Sequence, residues 1–587
     1  MNRRRFLELS ALGSALAGVQ PRSLSAALLT GTASVQAMHH APGTRAELTL
    51  RRVLGGTAPA FTDEFLLADL RPIAERRFTE YSGDLSGRYI GAMATAASVY
   101  GLDAHGAEAM RLDALVKKSI ALQKPEGYFG AGFHENAPGD NDMALLWGNG
   151  RLLVGLLEYN AWKPSPEVLA ATKRLGDFLV RVGPMMLSPE MRQAFGAQHF
   201  ASSYICWMQQ TEGLALLYKA TGDERYRKLA EQIAAVIERR PSDHVHGYLT
   251  SLRGVMDLHA ATGNADLLKQ CEAAWAEIAA SPDLLITGGV PEGWSPNNHR
   301  TEGCAECDWV RLNLALWKAT GDRKYAAMAE QAIFNELAFN QYASGDFGHR
   351  EYTETGLPAA GAVRAWWCCT LHGLRCFPDI TESAFRVEGE RVWLDFPLDG
   401  WVEARGLSAT AESRLGTDST VRIRVTSAGR EPVLVEIRKP EWANGLSVAI
   451  NGKGTGSSSE EPQVRIERVW SAGDLIDVRY EMKLREQEES GGRRSYWVGP
   501  WLLGAPASRN ATYFNELTTQ NRLTGSAEAV AAGAEGAFEV PRAAVRFRFT
   551  PAEYPDQPQT VELRAIAEQT GEATTSWELR LLPGRKA

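Results

Sequence analysis

The chain has no excess of positive charge: 63 lysines and arginines stand against 71 aspartates and glutamates, for a formal net charge of −8. Without a broad positive field it cannot hold a phosphate backbone or an anionic lipid surface electrostatically, so nucleic acid is set aside as a partner. Long hydrophobic runs are missing too, and beyond the first residues no stretch reads as a membrane span. Cysteine is scarce: there are seven in 587 residues, an odd number, and two of them, Cys368 and Cys369, are adjacent. Adjacent cysteines rarely bridge each other because the bridge is strained, so metal ligation explains them better than a disulfide framework. What the chain has in quantity is core material, with 44% hydrophobic and 9% aromatic residues. It is therefore not a disordered protein, and at roughly 100–200 residues per domain it suits two to four domains.

The chain opens Met1-Asn2-Arg3-Arg4-Arg5-Phe6-Leu7, and a short, mildly apolar run through Leu16 to Val19 follows. That run is too short to cross a bilayer and has the shape of a signal peptide. Its R-R-x-F-L core has the form of a twin-arginine signal, which directs export of proteins already folded. Residues 1–35 are expected to be a leader, and the mature protein periplasmic or extracellular.

From about residue 60 to residue 380 the pattern is helical and repeats. Leu216 to Ala220 leads into Thr221-Gly222-Asp223, Leu258 to Ala261 into Thr262-Gly263-Asn264, and Leu316 to Ala319 into Thr320-Gly321-Asp322. In each unit an apolar helix stops at a glycine and an Asp or Asn caps the next helix, which predicts helical hairpins. Gly222 and Gly263 are 41 residues apart, whereas Gly263 and Gly321 are 58 apart. A period near 40 implies stacked or toroidal helix pairs, and an insertion into such an array maps to one face, often the binding face. From about residue 384 the period changes to two, in Val392 to Phe396, Val421 to Val425, Val433 to Ile437 and Leu475 to Tyr480. This predicts antiparallel β-sandwiches. The expected division is a helical domain over 45–383, a β-sandwich over 384–505, and a second β-module over 506–587 with a linker at 523–536.

The insertion holds the most unusual chemistry. It contains Thr287-Gly288-Gly289-Val290-Pro291-Glu292-Gly293-Trp294 and His299-Arg300-Thr301-Glu302-Gly303-Cys304-Ala305-Glu306-Cys307-Asp308, and Trp366-Trp367-Cys368-Cys369-Thr370-Leu371-His372 follows later. Thiolate, imidazole and carboxylate groups in two short segments suit a tetrahedral zinc site. Two ligand sets are open: Cys304, Cys307, Cys368 and Cys369, or Glu302, Cys304, Cys368 and Cys369. His299 and His372 flank these segments but stay outside both sets. Cys206, Cys271 and Cys376 lie in apolar helical contexts and are expected to be buried thiols.

These residues resemble the β-L-arabinofuranosidases of glycoside hydrolase family 127, formerly a domain of unknown function. Glu302-Gly303-Cys304 and Cys368-Cys369 match that family's E-x-C and C-C motifs. The similarity extends to Gly83-Asp84-Leu85-Ser86-Gly87-Arg88-Tyr89, to the Thr287-Gly288-Gly289 turn, to Arg438-Lys439-Pro440-Glu441-Trp442-Ala443 and to Gly499-Pro500. The resemblance implies a multidomain fold, mainly α: a six-hairpin-like (α/α) toroid followed by C-terminal antiparallel β-sandwich modules. It implies one zinc held by Glu302, Cys304, Cys368 and Cys369, with Cys368 as nucleophile and Glu292 as acid/base of a retaining hydrolase. Bound zinc would supply the thiolate that a free cysteine offers only in small fraction, and retention needs a nucleophile and an acid/base flanking the scissile bond. The implied substrate is a plant-type glycan, and the assembly allowed is a homodimer. Glu306 and Asp308 compete with Glu292, but at a helix start they read as structural carboxylates.

The resemblance is incomplete where family members carry histidines that bind sugar hydroxyls at the mouths of inner helices. The corresponding regions here are expected to lack them, reading Trp147-Gly148-Asn149-Gly150-Arg151 and Cys206-Trp207-Met208-Gln209-Gln210. Asn149, Arg151, Gln209 and Gln210 are the candidates for substrate binding in their place, against a reading as helix-to-helix hydrogen bonds. Two other functions fit a helical toroid: a polysaccharide lyase or sugar epimerase, and a non-catalytic glycan-binding protein with a structural zinc.

Overall fold

The structure is a computed structural model that describes residues 43–583, apart from 56–57, 197–202, 242, 295–299, 352–355, 358–363, 457–460, 490–492, 511–520, 524–527, 531–533, 536–539, 542–543, 551–555, 557–558, 571–574 and 577–580. The expected leader, His299 and most of the expected linker lie outside the described residues.

Among the described residues, twelve helices build the N-terminal domain's ring: α1 (Thr44–Leu54), α2 (Asp84–Tyr100), α3 (Ala107–Ile120), α4 (Asp140–Trp162), α5 (Pro166–Met186), α6 (Gln210–Thr221), α7 (Glu224–Ala234), α8 (Val245–Thr262), α9 (Ala265–Ala279), α10 (Gly303–Thr320), α11 (Arg323–Gln331) and α12 (Trp367–Ser383). The inner helices α2, α4, α6, α8, α10 and α12 pack each on the next, and α12 packs back on α2 to close the ring. Inner and outer helices differ as their sequences require. On α7 the buried residues are Tyr226, Leu229, Ala230, Ile233 and Ala234, a single stripe at helical spacing. Inner α2 is buried almost all round and relies on small residues: a Cβ on Gly155 of α4 would come within 2.1 Å of the Gly87 carbonyl oxygen of α2. The hairpin turns follow the expected chemistry. Gly222, Gly263 and Gly321 adopt φ of 69°, 70° and 67°, and the side chains of Asp223, Asn264 and Asp322 accept hydrogen bonds from backbone amides of the helices they start.

The helical domain ends at Ser383, and the strands of the β-region begin at Phe385. A six-stranded antiparallel sheet contains Gly400–Ala404, Leu407–Arg414, Thr420–Ala428, Leu475–Glu481, Gly445–Ile450 and Lys453–Gly454. A four-stranded sheet contains Phe385–Glu388, Arg391–Leu394, Val433–Arg438 and Gln463–Arg468; here Val433–Arg438 runs parallel to Arg391–Leu394. A further sheet joins Trp501–Pro506 to Gln559–Ala565, so position 505 falls inside a sheet.

Two buried contacts seat the β-region on the helices. The Arg438 guanidinium pairs with Glu330 of α11, whose other oxygen accepts from Trp442 Nε1 at 3.1 Å. Asn335 accepts from Leu502 N at 2.7 Å and donates to Pro500 O at 2.9 Å. No helix among the described residues is long and apolar enough to cross a membrane.

Candidate active site

The site forms where a small sheet meets two inner-helix N-termini. Strand β1 (Arg300–Glu302) pairs with β2 (Gly348–Glu351), which pairs with β3 (Arg364–Ala365). Glu302 is the extended residue before α10 and Cys304 lies in that helix's first turn, while Trp366 plays the same part for α12, with Cys368 and Cys369 in its first turn. Gly303 allows the two helix starts to meet, since a Cβ there would stand 3.1 Å from that of Cys369.

Donor atoms of Glu302, Cys304, Cys368 and Cys369 all lie within 4.8 Å of one another. Cys369 Sγ stands 3.7 Å from Cys304 Sγ, 4.0 Å from Cys368 Sγ and 3.8 Å from Glu302 Oε1. All seven cysteines are free and buried. Burial drives the Glu302, Cys304 and Cys369 groups well above their ordinary pKa values. Burial also opposes a Cys368 thiolate, but hydrogen bonds from the Cys304 and Cys369 thiols and the charge of Arg88 outweigh it and hold Cys368 well below. Burial thus favours the protonated forms of three of these four acids, and Cys368 is the one whose ionised form its neighbours favour. Among the described residues Glu302 Oε2 has no hydrogen-bond partner, and His244 Nε2 stands 3.2 Å from it. A divalent, borderline-soft cation replacing the protons fits this donor set, and zinc is compatible with it. Cys307 stands outside the group: Cys376 Sγ donates to its carbonyl at 3.7 Å, and its own thiol is hydrogen-bonded with Cys376. The four-cysteine arrangement is therefore not assembled.

Glu292 is held beside this cluster by its backbone. Its N–H donates to Arg300 O at 2.8 Å, and its carbonyl accepts from Val245 N at 3.0 Å. Its carboxylate pairs with the Arg300 guanidinium, and His349 Nε2 lies 3.4 Å from Oε1. Donor atoms of Glu292, His244 and Glu302 are also mutually within 4.8 Å. Burial works against the Glu292 charge, yet the His349 hydrogen bond, the neighbouring His244 and His349 rings and, least of these, the Arg300 charge keep the carboxyl below its ordinary value.

Beneath the cluster runs a buried network. Arg88 donates to Cys304 Sγ at 3.7 Å, His372 Nδ1 at 3.2 Å and His246 Nε2 at 2.9 Å. The opposite nitrogens, His246 Nδ1 and His372 Nε2, donate to Asp308 at 2.6 and 2.9 Å. Each ring thus accepts from an arginine and donates to a carboxylate, which fixes a neutral tautomer. Burial pushes the His372 pKa down to about 3 and that of His246 well down.

These observations correct the sequence reading at the histidines and at two of the proposed sugar-binding residues. The site does contain histidines: His244 and His246 at the mouth of α8, His349 on β2, and His372 on α12. The His244-Val245-His246 pair was the available signal. Asp308 lies in the first turns of α10, but it is the shared acceptor of two histidines and of Arg253 at 2.8 Å. Glu306 accepts from Val290 N at 3.0 Å and so pins the turn that carries Glu292. Of the proposed sugar-binding residues, Asn149 is occupied by Phe129 N and by the carbonyls of Ser82, Phe129 and Leu145. Gln210 donates to Leu146 O and Cys206 O. Asn149 thus ties α4 to neighbouring loops, and Gln210 ties helix to helix. Arg151 belongs to the buried network, donating to Thr250 Oγ1 at 3.0 Å and facing His246 Nε2 at 3.3 Å. Only Gln209 is buried with neither amide atom partnered.

The catalytic-domain model of the GH127 β-L-arabinofuranosidases matches residues 68–382, and the middle-domain model of the same family matches 399–482. A solved GH127 β-arabinofuranosidase shares 16% identity over 92% of this chain and 97% of its own, with a TM-score of 0.70. A GH127 β-L-arabinofuranosidase from Geobacillus stearothermophilus T6 shares 18% over 91% and 96%, with a TM-score of 0.67. A structure described as a glycoside hydrolase shares 17% over 87% and 95%, also at 0.67. At these identities the likeness to solved structures is one of fold. No curated protein matches the chain.

Proposed function

Because the chain belongs to the GH127 β-L-arabinofuranosidases and is therefore a glycosidase, we propose that it releases L-arabinofuranose or a related sugar from plant-type glycans with retention, using Cys368 as nucleophile and Glu292 as acid/base. The observation that carries this reading is the placement of four buried donors, Glu302, Cys304, Cys368 and Cys369, next to a carboxylate outside their set, Glu292. Those four residues would hold a zinc ion, which would keep its cysteine ligands deprotonated at neutral pH.

Cys368 Sγ attacks the anomeric carbon while the bond to the departing oxygen breaks and Glu292 delivers its proton to that oxygen. Water then attacks the same carbon, Glu292 takes its proton, the carbon–sulfur bond breaks, and the Cys368 thiolate is restored. His349 and Arg300 stand against the Glu292 carboxyl and favour its ionised form, the form that the second step needs. Glu306, pinned to the Val290 amide, and Asp308, committed to His246 and His372, hold the frame.

Export by the twin-arginine motif, with the metal already in place, accords with a glycan substrate outside the cytoplasm. Incubation with synthetic β-L-arabinofuranosides and pectic oligosaccharides, with the released sugar identified, tests the reading. Release of L-arabinose as its β-anomer supports it, and no release from any of them by the zinc-loaded chain contradicts it.

A further inference from the structure

From the acid/base outward, the site's wall becomes exposed in steps. Glu292 is 5% exposed and His349 6%. The Trp366 ring, 6.1 Å from that of His349, is half-buried, and Phe78, 6.1 Å from Trp366, is 46% exposed. Tyr81 stands edge-on to Phe78 at 6.4 Å. The arrangement is built from behind: Trp367 lies 4.8 Å from Trp366, and the Arg76 guanidinium, itself 3.7 Å from buried Asp69, sits 5.7 Å from the Trp367 ring. Phe78 also holds a φ of +61°, a left-handed conformation that a bulky side chain rarely adopts. An exposed aromatic in an unfavourable backbone conformation at the rim of a site points to a task at that rim.

We propose that Phe78, Tyr81 and Trp366 form the binding subsite for the sugar ring on the leaving side of the scissile bond. The assignment rests on the glycosidase reading with Glu292 as acid/base. A residue that protonates the departing oxygen stands beside the ring that departs, and His349 links Glu292 to Trp366. Aromatic faces and edges suit the C–H faces of a neutral saccharide, offering apolar area without a charge that demands a counterion. Arg76, the cation behind the platform, is already committed to Asp69 and to the rings of Phe65 and Trp367.

The test compares two substrates with one glycosyl donor: β-L-arabinofuranosyl fluoride, whose leaving group is too small to reach the rim, and a β-L-arabinofuranosyl disaccharide. Phe78→Ala is expected to lower kcat/KM on the disaccharide by roughly three- to tenfold, the worth of one aromatic contact. On the fluoride it stays within about twofold. Phe78→Gly, which relieves the backbone, should have a higher Tm than Phe78→Ala while showing the same loss, which separates binding from folding. Equal effects on the two substrates, or none on the disaccharide, overturn the proposal. Saturation-transfer NMR of the disaccharide with zinc-loaded protein provides a readout without turnover. Enhancement of the second ring that disappears in Phe78→Ala upholds the subsite even if the wild-type chain cleaves neither substrate, in which case only the glycosidase reading falls. Enhancement unchanged in Phe78→Ala overturns the subsite whatever the activity.

Discussion

Glu302 and His349 face each other across the antiparallel pair of β1 and β2, and from that one rung Glu302 joins the cysteine cluster while His349 reaches Glu292. The cysteine cluster and Glu292, the proposed acid/base, are thus tied to the same two short strands.

Metal content separates the two ligand sets. Cys304→Ser should lower zinc from about one ion per chain to near none, because three donors hold the ion far more weakly than four. Cys307→Ala should keep the metal and cost about 1–2 kcal/mol of stability through the lost packing and the thiol contact with Cys376. Elemental analysis with denaturant unfolding checks both, and zinc loss in Cys307→Ala would count against the set with Glu302.

Arg300 is one of the groups that set when Glu292 can act as an acid, after His349 and His244. Its charge helps to hold the Glu292 carboxyl below the ordinary range, so the protonated form needed for the first step is lost as pH rises through a depressed value. Arg300→Gln should move the alkaline limb of kcat/KM upward, by about one pH unit. An unmoved limb in zinc-loaded enzyme would show that Glu292 is not the group that titrates.

Glu330 ties the middle sheets to the toroid through Arg438 and Trp442. Burial raises its carboxyl to about 7, against an ordinary value of 4.5, even with Arg438 beside it. The folded chain therefore binds that proton more tightly than the unfolded chain does. The stability from this group is fully present below pH 4.5 and is lost as pH rises through about 7. Glu330→Gln should flatten the fall in Tm across that window. Glu330→Ala, which strands Arg438, should cost roughly 3–5 kcal/mol. Parallel pH–Tm curves for wild type and Glu330→Gln would refute the linkage.

Much of this was legible in the sequence, for reasons that differ between residues. The hairpin glycines were visible because a left-handed turn followed by a capping Asp or Asn is local chemistry. Glu302, Cys304, Cys368 and Cys369 were visible because cysteine is rare and the pairs are short. His349 was not, because its partners arise only when β2 aligns with β1 across nearly fifty residues. Asp308 looked like a carboxylate at a helix start, and only the packing of α8 and α12 against α10 turns it into the acceptor for two histidines. Asn149 and Gln210 were polar groups near inner-helix mouths, and local sequence could not show that backbone carbonyls of neighbouring segments occupy them.

The central claim is that Cys368, not a carboxylate, forms the bond to sugar. An aryl glycoside with a good leaving group needs little help from an acid, so Glu292→Ala should still form the first intermediate while its hydrolysis slows. Mass spectrometry of Glu292→Ala quenched after incubation with an activated aryl β-L-arabinofuranoside should find one added sugar, located on Cys368 and absent when Cys368→Ala is added to the variant. A sugar located on any carboxylate, or inversion at the anomeric carbon in the wild-type product, would contradict the account and leave Cys368 as a ligand only.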